Sequence, residues 1–152
     1  MEIERKFKVL TDDYKHLAKP LAVAQGYLNS DKNRVVRVRI MDKQAFITIK
    51  SANIGISRSE YEYEIPLPDG KEILENLCEK PIIEKNRYKI IFQNKLWEVD
   101  EFLGDNQGLV LAEIELNFEN EKFDKPDWIG EEVSEDSRYF NSNLIKFPYK
   151  NW

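Results

Sequence analysis

Charge recurs at every second residue along several separate stretches of this chain, a spacing that belongs to β-strands, whose side chains alternate between two faces. In Glu2-Ile3-Glu4-Arg5-Lys6 the residues Glu2, Glu4 and Lys6 share one side. The same rhythm returns in Arg37 and Arg39, in Thr48 and Lys50, and in Arg58 with Glu60, Glu62 and Glu64. It returns again in Lys85, Arg87 and Lys89 and in Glu113 and Glu115. The alternate positions are mostly apolar: Ile3 and Phe7; Val36, Val38 and Ile40; Ala45, Ile47 and Ile49; Tyr61, Tyr63 and Ile65; Ala112, Ile114 and Leu116. An antiparallel sheet with a solvated charged face has this pattern. So does a closed barrel whose interior is charged, because interior and exterior residues alternate along every strand. Two features weigh toward the barrel. Acids and bases are each grouped by strand, and Arg-x-Arg and Lys-x-Arg pairs concentrate positive charge beyond what solubility requires.

A length of 152 residues fits one domain, taken here as 1–152. The net charge of −5 argues against a nucleic-acid or membrane surface but leaves room for a local basic cavity. One cysteine, Cys78, excludes an internal disulfide, and no apolar leader or membrane-length run is present, so a cytoplasmic protein is expected. Cys78 closes an apolar helical stripe with Ile73, Leu74 and Leu77 and reads as structural. His16, the sole histidine, reads as a solvated position, and without partners it makes zinc chemistry or a Ser-His-Asp triad improbable.

Thr11-Asp12-Asp13 resembles a helix start, with Pro20 as its end. Strands are expected over 22–28, 34–41 and 44–51, the last two forming a hairpin around Asp42-Lys43, and then over 58–65. Pro66 and Pro68 break the sheet before a helix that starts at Asp69 and carries the Cys78 stripe. Strands over 82–92 and 95–102, joined at Gln93-Asn94, precede a turn at 104–108 and a strand over 109–118. With the first strand this makes about eight. From Pro126 onward the chain reads as helical or irregular, with Ser134-Glu135-Asp136 as a cap and Tyr139, Leu144 and Ile145 as anchors.

Taken together and in order, Glu2-x-Glu4-x-Lys6, Gln25-Gly26-Tyr27-Leu28, Arg37-x-Arg39, Thr48-x-Lys50, Arg58-x-Glu60-x-Glu62, Lys85-x-Arg87, Asp100 in Trp97-Glu98-Val99-Asp100, and Glu113-x-Glu115 resemble the CYTH family of triphosphate tunnel metalloenzymes. The resemblance runs from residue 2 to about 144. It implies an α+β, mainly β fold: an eight-stranded antiparallel closed barrel forming a tunnel, with a charged interior and a few helices outside. It also implies metal-dependent work on a triphosphate, with two ions, Mg²⁺ or Mn²⁺.

The residue types fit that implication. Arg37, Arg39 and Arg87 offer planar forks to phosphate oxygens, and Lys6, Lys50 and Lys85 act as point charges, with Arg58 completing the substrate-binding set. Glu2, Glu4, Glu60, Glu62, Asp100, Glu113 and Glu115 are the candidate metal ligands, hard oxygen donors suited to Mg²⁺ or Mn²⁺. Lys6, Tyr27, Glu60 and Glu62 are the candidate catalytic groups. Tyr27 has a buried structural role as its alternative, and Arg58 and Asp100 have an orienting one. The leading activity is hydrolysis of inorganic tripolyphosphate to pyrophosphate and phosphate. A thiamine-triphosphatase, a class IV adenylate cyclase and a polyphosphate- or nucleotide-binding module without turnover are the alternatives. The expected partner is a small-molecule triphosphate, with no nucleic acid and no membrane, and a homodimer is left open.

Overall fold

The computed structural model describes residues 1–152. Ten strands form one antiparallel sheet: β1 (Glu2–Val9), β2 (Leu21–Asn29), β3 (Arg34–Met41), β4 (Gln44–Ser51), β5 (Ser57–Arg58), β6 (Glu60–Ile65), β7 (Ile83–Phe92), β8 (Lys95–Phe102), β9 (Val110–Glu115) and β10 (Ile129–Glu132). Two α-helices accompany them, α1 (Leu67–Asn76) and α2 (Asn141–Leu144). The strand order β1-β9-β8-β7-β2-β3-β4-β6 curls into the expected eight-stranded ring. Closure is not strict. The line of β5 and β6 is broken at Ser59, so β6 pairs with β4 while only two residue pairs, Glu2↔Arg58 and Ile3↔Ser57, join β5 to β1.

The expected turns follow their residues. Gln93 and Asn94 both adopt positive φ, 49° and 63°, as a two-residue hairpin between right-twisted strands requires. Asp42, at φ 54°, turns β3 into β4. Helix α1 starts two residues earlier than expected, because Pro68 fits the first helical turn, where its missing N–H is no loss. The expected helix after β1 is a short 3-10 turn, Asp13–His16, with His16 exposed. The C-terminal stretch, expected to be helical or irregular, contains β10, which adds to β1 at Phe7↔Glu132 and Val9↔Ile129. Four residues are too few for alternation to show in the sequence. In the same stretch the expected Ser134-Glu135-Asp136 cap acts through Asp136, whose side chain accepts from Arg138 N at the start of a 3-10 turn.

Apolar alternate faces point outward and are covered. Phe7 and Trp97 are fully buried under Phe123 and Trp128, with ring centroids 5.6 Å apart for Phe7–Trp97 and 5.7 Å for Trp97–Phe123. That cover was expected to be helical. It is instead the irregular segment 116–128, helped by Tyr14 of the 3-10 turn. Helix α1 covers β3, where Val38 meets Leu74 and Cys78. Leu77, expected in the same stripe, is exposed. A third cluster lies inside the ring: Ile83, Phe102 and Leu111 face inward and pack against Val133, Tyr139, Leu144 and Ile145. The C-terminal segment thereby fills one part of the interior, and the charged stretch begins beside it.

Gly26 marks where the barrel wall and the end of α1 touch. A Cβ there would lie 2.9 Å from Cys78 Cβ and 3.0 Å from Leu74 Cδ2. Gly26→Ala is therefore expected to lower stability by about 1–3 kcal/mol through overpacking, measured as a shift in urea midpoint with unchanged slope.

Candidate active site

Residues directly opposite in an antiparallel pair share a face, so the strand registers assign the interior. They place Glu4 opposite Glu115, Lys6 opposite Glu113, Glu113 opposite Glu98, Asp100 opposite Arg87, Tyr27 opposite Arg37, Gln25 opposite Arg39, Thr48 opposite Arg37 and Glu62, and Lys50 opposite Glu60. All of these side chains project into one lumen. Its cavity, about 660 Å³, is lined by 29 residues of which 6 are hydrophobic, and it contains every residue expected at the site except Asp100. Asp100 stands directly behind the lining.

Most of the interior bases are held by acids on nearby strands. Arg87 donates to both oxygens of Asp100, at 2.8 and 2.9 Å, and Lys85 Nζ lies 2.8 Å from Asp100 Oδ2. Burial disfavours the Asp100 charge, but Arg87 and Lys85 override it and hold the carboxyl far below the usual range. Burial and the nearby Arg87 pull Lys85 down to about 8 despite Asp100. Glu62 accepts from Thr48 at 2.8 Å and lies 3.4 Å from Arg37 and 3.3 Å from Arg39. Arg39 has no other acid within ion-pair distance; burial, Arg37 and Arg87 push it down to about 10, so it keeps its charge at neutral pH. Nε of both Arg37 and Arg39 is buried without a hydrogen-bond partner.

Glu2 lies 3.2 Å from Lys50 and 3.1 Å from Arg58 Nε, and Lys50 also meets Glu60 at 3.1 Å. Burial opposes ionisation of Glu2, yet its hydrogen bond with Glu60 and the charges of Lys50 and Arg58 lower it to about 2. Glu60 moves up, through burial and that same hydrogen bond. Lys6 donates to the Tyr139 carbonyl at 3.0 Å and stands 3.7 Å from Glu113. Glu4 differs from the rest: it makes no ion pair, and burial, Glu113 and Glu2 raise its carboxyl well above the usual range. Glu115, opposite it, is also raised, by burial and by Glu2 and Glu98.

The ring order puts these groups on facing walls. Glu4, Glu113 and Glu115 lie on adjacent strands β1 and β9, whereas Arg37, Arg39, Lys85 and Arg87 lie across the lumen on β3 and β7. No three carboxylates converge into a ready-made metal cage. That suits Mg²⁺-type binding, in which one or two carboxylates share the ion with substrate phosphates and water. Tyr27 is buried at the edge of the apolar interior cluster, its hydroxyl accepting from Gln25 at 3.2 Å. Burial raises its pKa.

A CYTH domain model matches residues 1–147. The chain belongs to the CYTH family. CYTH triphosphate tunnel enzymes are metal-dependent. This CYTH chain is 60% identical to an inorganic triphosphatase of Acetivibrio thermocellus over 151 residues, 99% of this chain and 97% of that one. It is 40% identical over 148 residues to an inorganic triphosphatase of Nitrosomonas europaea, covering 94% and 95% of the two chains. Among solved structures, that of an inorganic triphosphatase superposes with a TM-score of 0.68 at 34% identity, over 94% of this chain and 96% of that one. A putative adenylyl cyclase from Hippeastrum, at 16% identity and a TM-score of 0.61 over 78% and 80% of the two chains, shares the fold.

Several lining residues of this CYTH cavity lie outside the set expected from sequence. Glu98 and Lys89 continue the period-two rhythm of Asp100 and Arg87, a signal that was present in the sequence. Gln25, fully buried behind the lining, sits in the Gln25-Gly26-Tyr27-Leu28 run, whereas Ser134 and Phe140 come from irregular stretches and Asn141 opens the four-residue α2, too short for a period to mark it. Lys8, outside the cavity near the end of β1, is half exposed and pairs with Glu131 at 3.2 Å.

Arg39→Ala is expected to lower kcat/KM for tripolyphosphate by about ten- to a hundredfold, the cost of one charge-assisted contact, with little change in stability. Arg87→Ala should lose activity and also destabilise, since it strips Asp100 of its fork. Lys43→Ala, in the exposed β3–β4 turn, should change neither. Kinetics and urea unfolding of the three variants check this, and equal modest losses in all would refute a localised phosphate site.

Proposed function

We propose that this chain is an inorganic triphosphatase that hydrolyses tripolyphosphate to pyrophosphate and phosphate. The observation that carries the reading is the lumen's division between a basic wall, where Arg37 and Arg39 share the one carboxylate of Glu62, and an acidic wall, where Glu4 stands opposite Glu115 and neither makes an ion pair. Nine basic and eight acidic side chains line the cavity, so it is close to neutral as a whole. A bound polyanion leaves such a space with excess negative charge, which accompanying cations would neutralise. Only six of the 29 lining residues are hydrophobic, which favours an inorganic substrate over one carrying an adenine or thiazole ring. That the Acetivibrio and Nitrosomonas relatives are inorganic triphosphatases supports it.

In this reading Arg37, Arg39, Lys85 and Arg87 bind the phosphoryl oxygens and neutralise charge that builds up in the loose transition state of phosphoryl transfer. Glu62 aims Arg37 and Arg39. Asp100, with both oxygens occupied by bases, fits the orienting role better than that of a metal ligand. Lys50 and Arg58 hold Glu2, and Glu60 can retain a proton through its hydrogen bond with Glu2. Lys6, anchored on the Tyr139 carbonyl, lies where it can neutralise a leaving or terminal phosphate. Tyr27 fits a structural role. Glu4, Glu113 and Glu115 would hold Mg²⁺ or Mn²⁺, two ions being the expected number, and Glu2, Glu60 and Glu62 complete the ligand candidates. Such ions, when bound, supply charge neutralisation and a more acidic water for in-line attack. A cytoplasmic setting, a small-molecule triphosphate partner without nucleic acid or membrane, and a homodimer complete the proposal. The lone buried thiol of Cys78 suits a reducing compartment.

Phosphate release from tripolyphosphate, ATP and thiamine triphosphate tests the reading. Tripolyphosphate is expected to be the fastest, excess EDTA to abolish turnover, and Mg²⁺ or Mn²⁺ to restore it. Glu115→Gln is expected to lower kcat by on the order of a hundredfold. Full turnover in EDTA, or an unchanged Glu115→Gln, would contradict it.

A further inference from the structure

We infer that Asn141, which belongs to the C-terminal segment and not to the barrel wall, is a substrate contact whose Nδ2 amide donates to a phosphoryl oxygen beside the apolar end of the cavity. The identity of the ligand rests on the triphosphatase reading above. Asn141 lines the cavity, and its Oδ1 accepts from Lys85 Nζ at 3.0 Å and from Gln25 Nε2 at 3.1 Å. An ammonium only donates, so the carbonyl oxygen must face Lys85. That settles which way the carboxamide points, and the amide hydrogens are left for the other side. No protein acceptor lies within hydrogen-bond reach of Nδ2.

The two groups that aim Asn141 are themselves fixed. Gln25 is fully buried and also donates to the Tyr27 hydroxyl at 3.2 Å. Lys85 is 3% exposed and tied to Asp100 at 2.8 Å. Lys6 reaches the same segment through the Tyr139 carbonyl. A phosphoryl group drawn to Lys6 and Lys85 therefore comes to the segment on which Asn141 is already oriented. A neutral donor there adds a directed hydrogen bond without adding another charge to the basic wall.

The competing role is a clamp that merely holds the C-terminal segment on the barrel, and Asn141→Asp separates the two. A carboxylate still accepts from Lys85 and Gln25, so a clamp survives, but its second oxygen meets the phosphoryl group where the amide stood. Expected for Asn141→Asp are a wild-type melting temperature, tripolyphosphate binding without metal weakened about ten- to a hundredfold by calorimetry, and a matching fall in kcat/KM with Mg²⁺. Wild-type affinity and kcat/KM in Asn141→Asp would overturn the inference. Should Asn141→Asp melt early, Asn141→Ala decides: about tenfold weaker binding by the folded protein supports a contact, and unchanged affinity leaves only a clamp. A wild-type protein that binds tripolyphosphate without cleaving it would defeat the triphosphatase reading while the binding arm still tests Asn141.

Discussion

Asp100 is the counter-ion on which the basic wall rests. One carboxylate in the middle of β8 takes both ends of the Arg87 fork and the Lys85 ammonium, all three side chains being almost fully buried. Desolvating such charges costs several kcal/mol per ion, and only close, fully hydrogen-bonded geometry offsets it. The pairing fixes the rotamers of two cations and, through Lys85, the direction in which Asn141 points. Glu98, 3.2 Å from the free end of the Arg87 guanidinium, supplies the second counter-charge. Local structure and the orientation of the ligand-binding groups are therefore set by the Asp100 contact.

On the acidic wall Glu113 has Lys6, but Glu4 and Glu115 have no such internal solution. Glu4 faces Glu115 across a strand pair, a like-charge juxtaposition that is unfavourable in the protein alone and favourable once a cation lies between. The lumen thus trades stability for function, as sites that must bind a charged ligand commonly do. The outer faces supply the compensation. Phe7, Trp97, Trp128 and Phe123 on one side, and Val38 under Leu74 and Cys78 on another, are an ordinary apolar core turned to the outside of the ring.

Much of this was legible because strand alternation and barrel closure are coupled. Once Arg37 and Arg39 are inside, Val36, Val38 and Ile40 must be outside, and the register carries the assignment from strand to strand. The turns at Asp42-Lys43 and Gln93-Asn94 were legible for the same local reason. What failed to show were features without a period: the four-residue β10, the irregular cover carrying Phe123 and Trp128, and Asn141, whose place in the cavity depends on a segment folding back more than a hundred residues after Gln25. The break at Ser59 was equally hidden, since 58–65 reads as one strand although Arg58 pairs with β1 and the rest with β4.

The central claim is that the acidic wall exists for a cation and not for the fold, and unfolding of Glu4→Gln in divalent-free buffer tests it most directly. Because the folded protein raises the Glu4 pKa, ionised Glu4 costs stability once the pH exceeds its unfolded value, near 4.5, and the cost grows as the pH climbs toward the raised folded value. Glu4→Gln is therefore predicted to be more stable than wild type at pH 7, to lose that advantage near pH 4, and to be catalytically impaired with Mg²⁺. A variant that is less stable at pH 7 yet fully active would contradict the account.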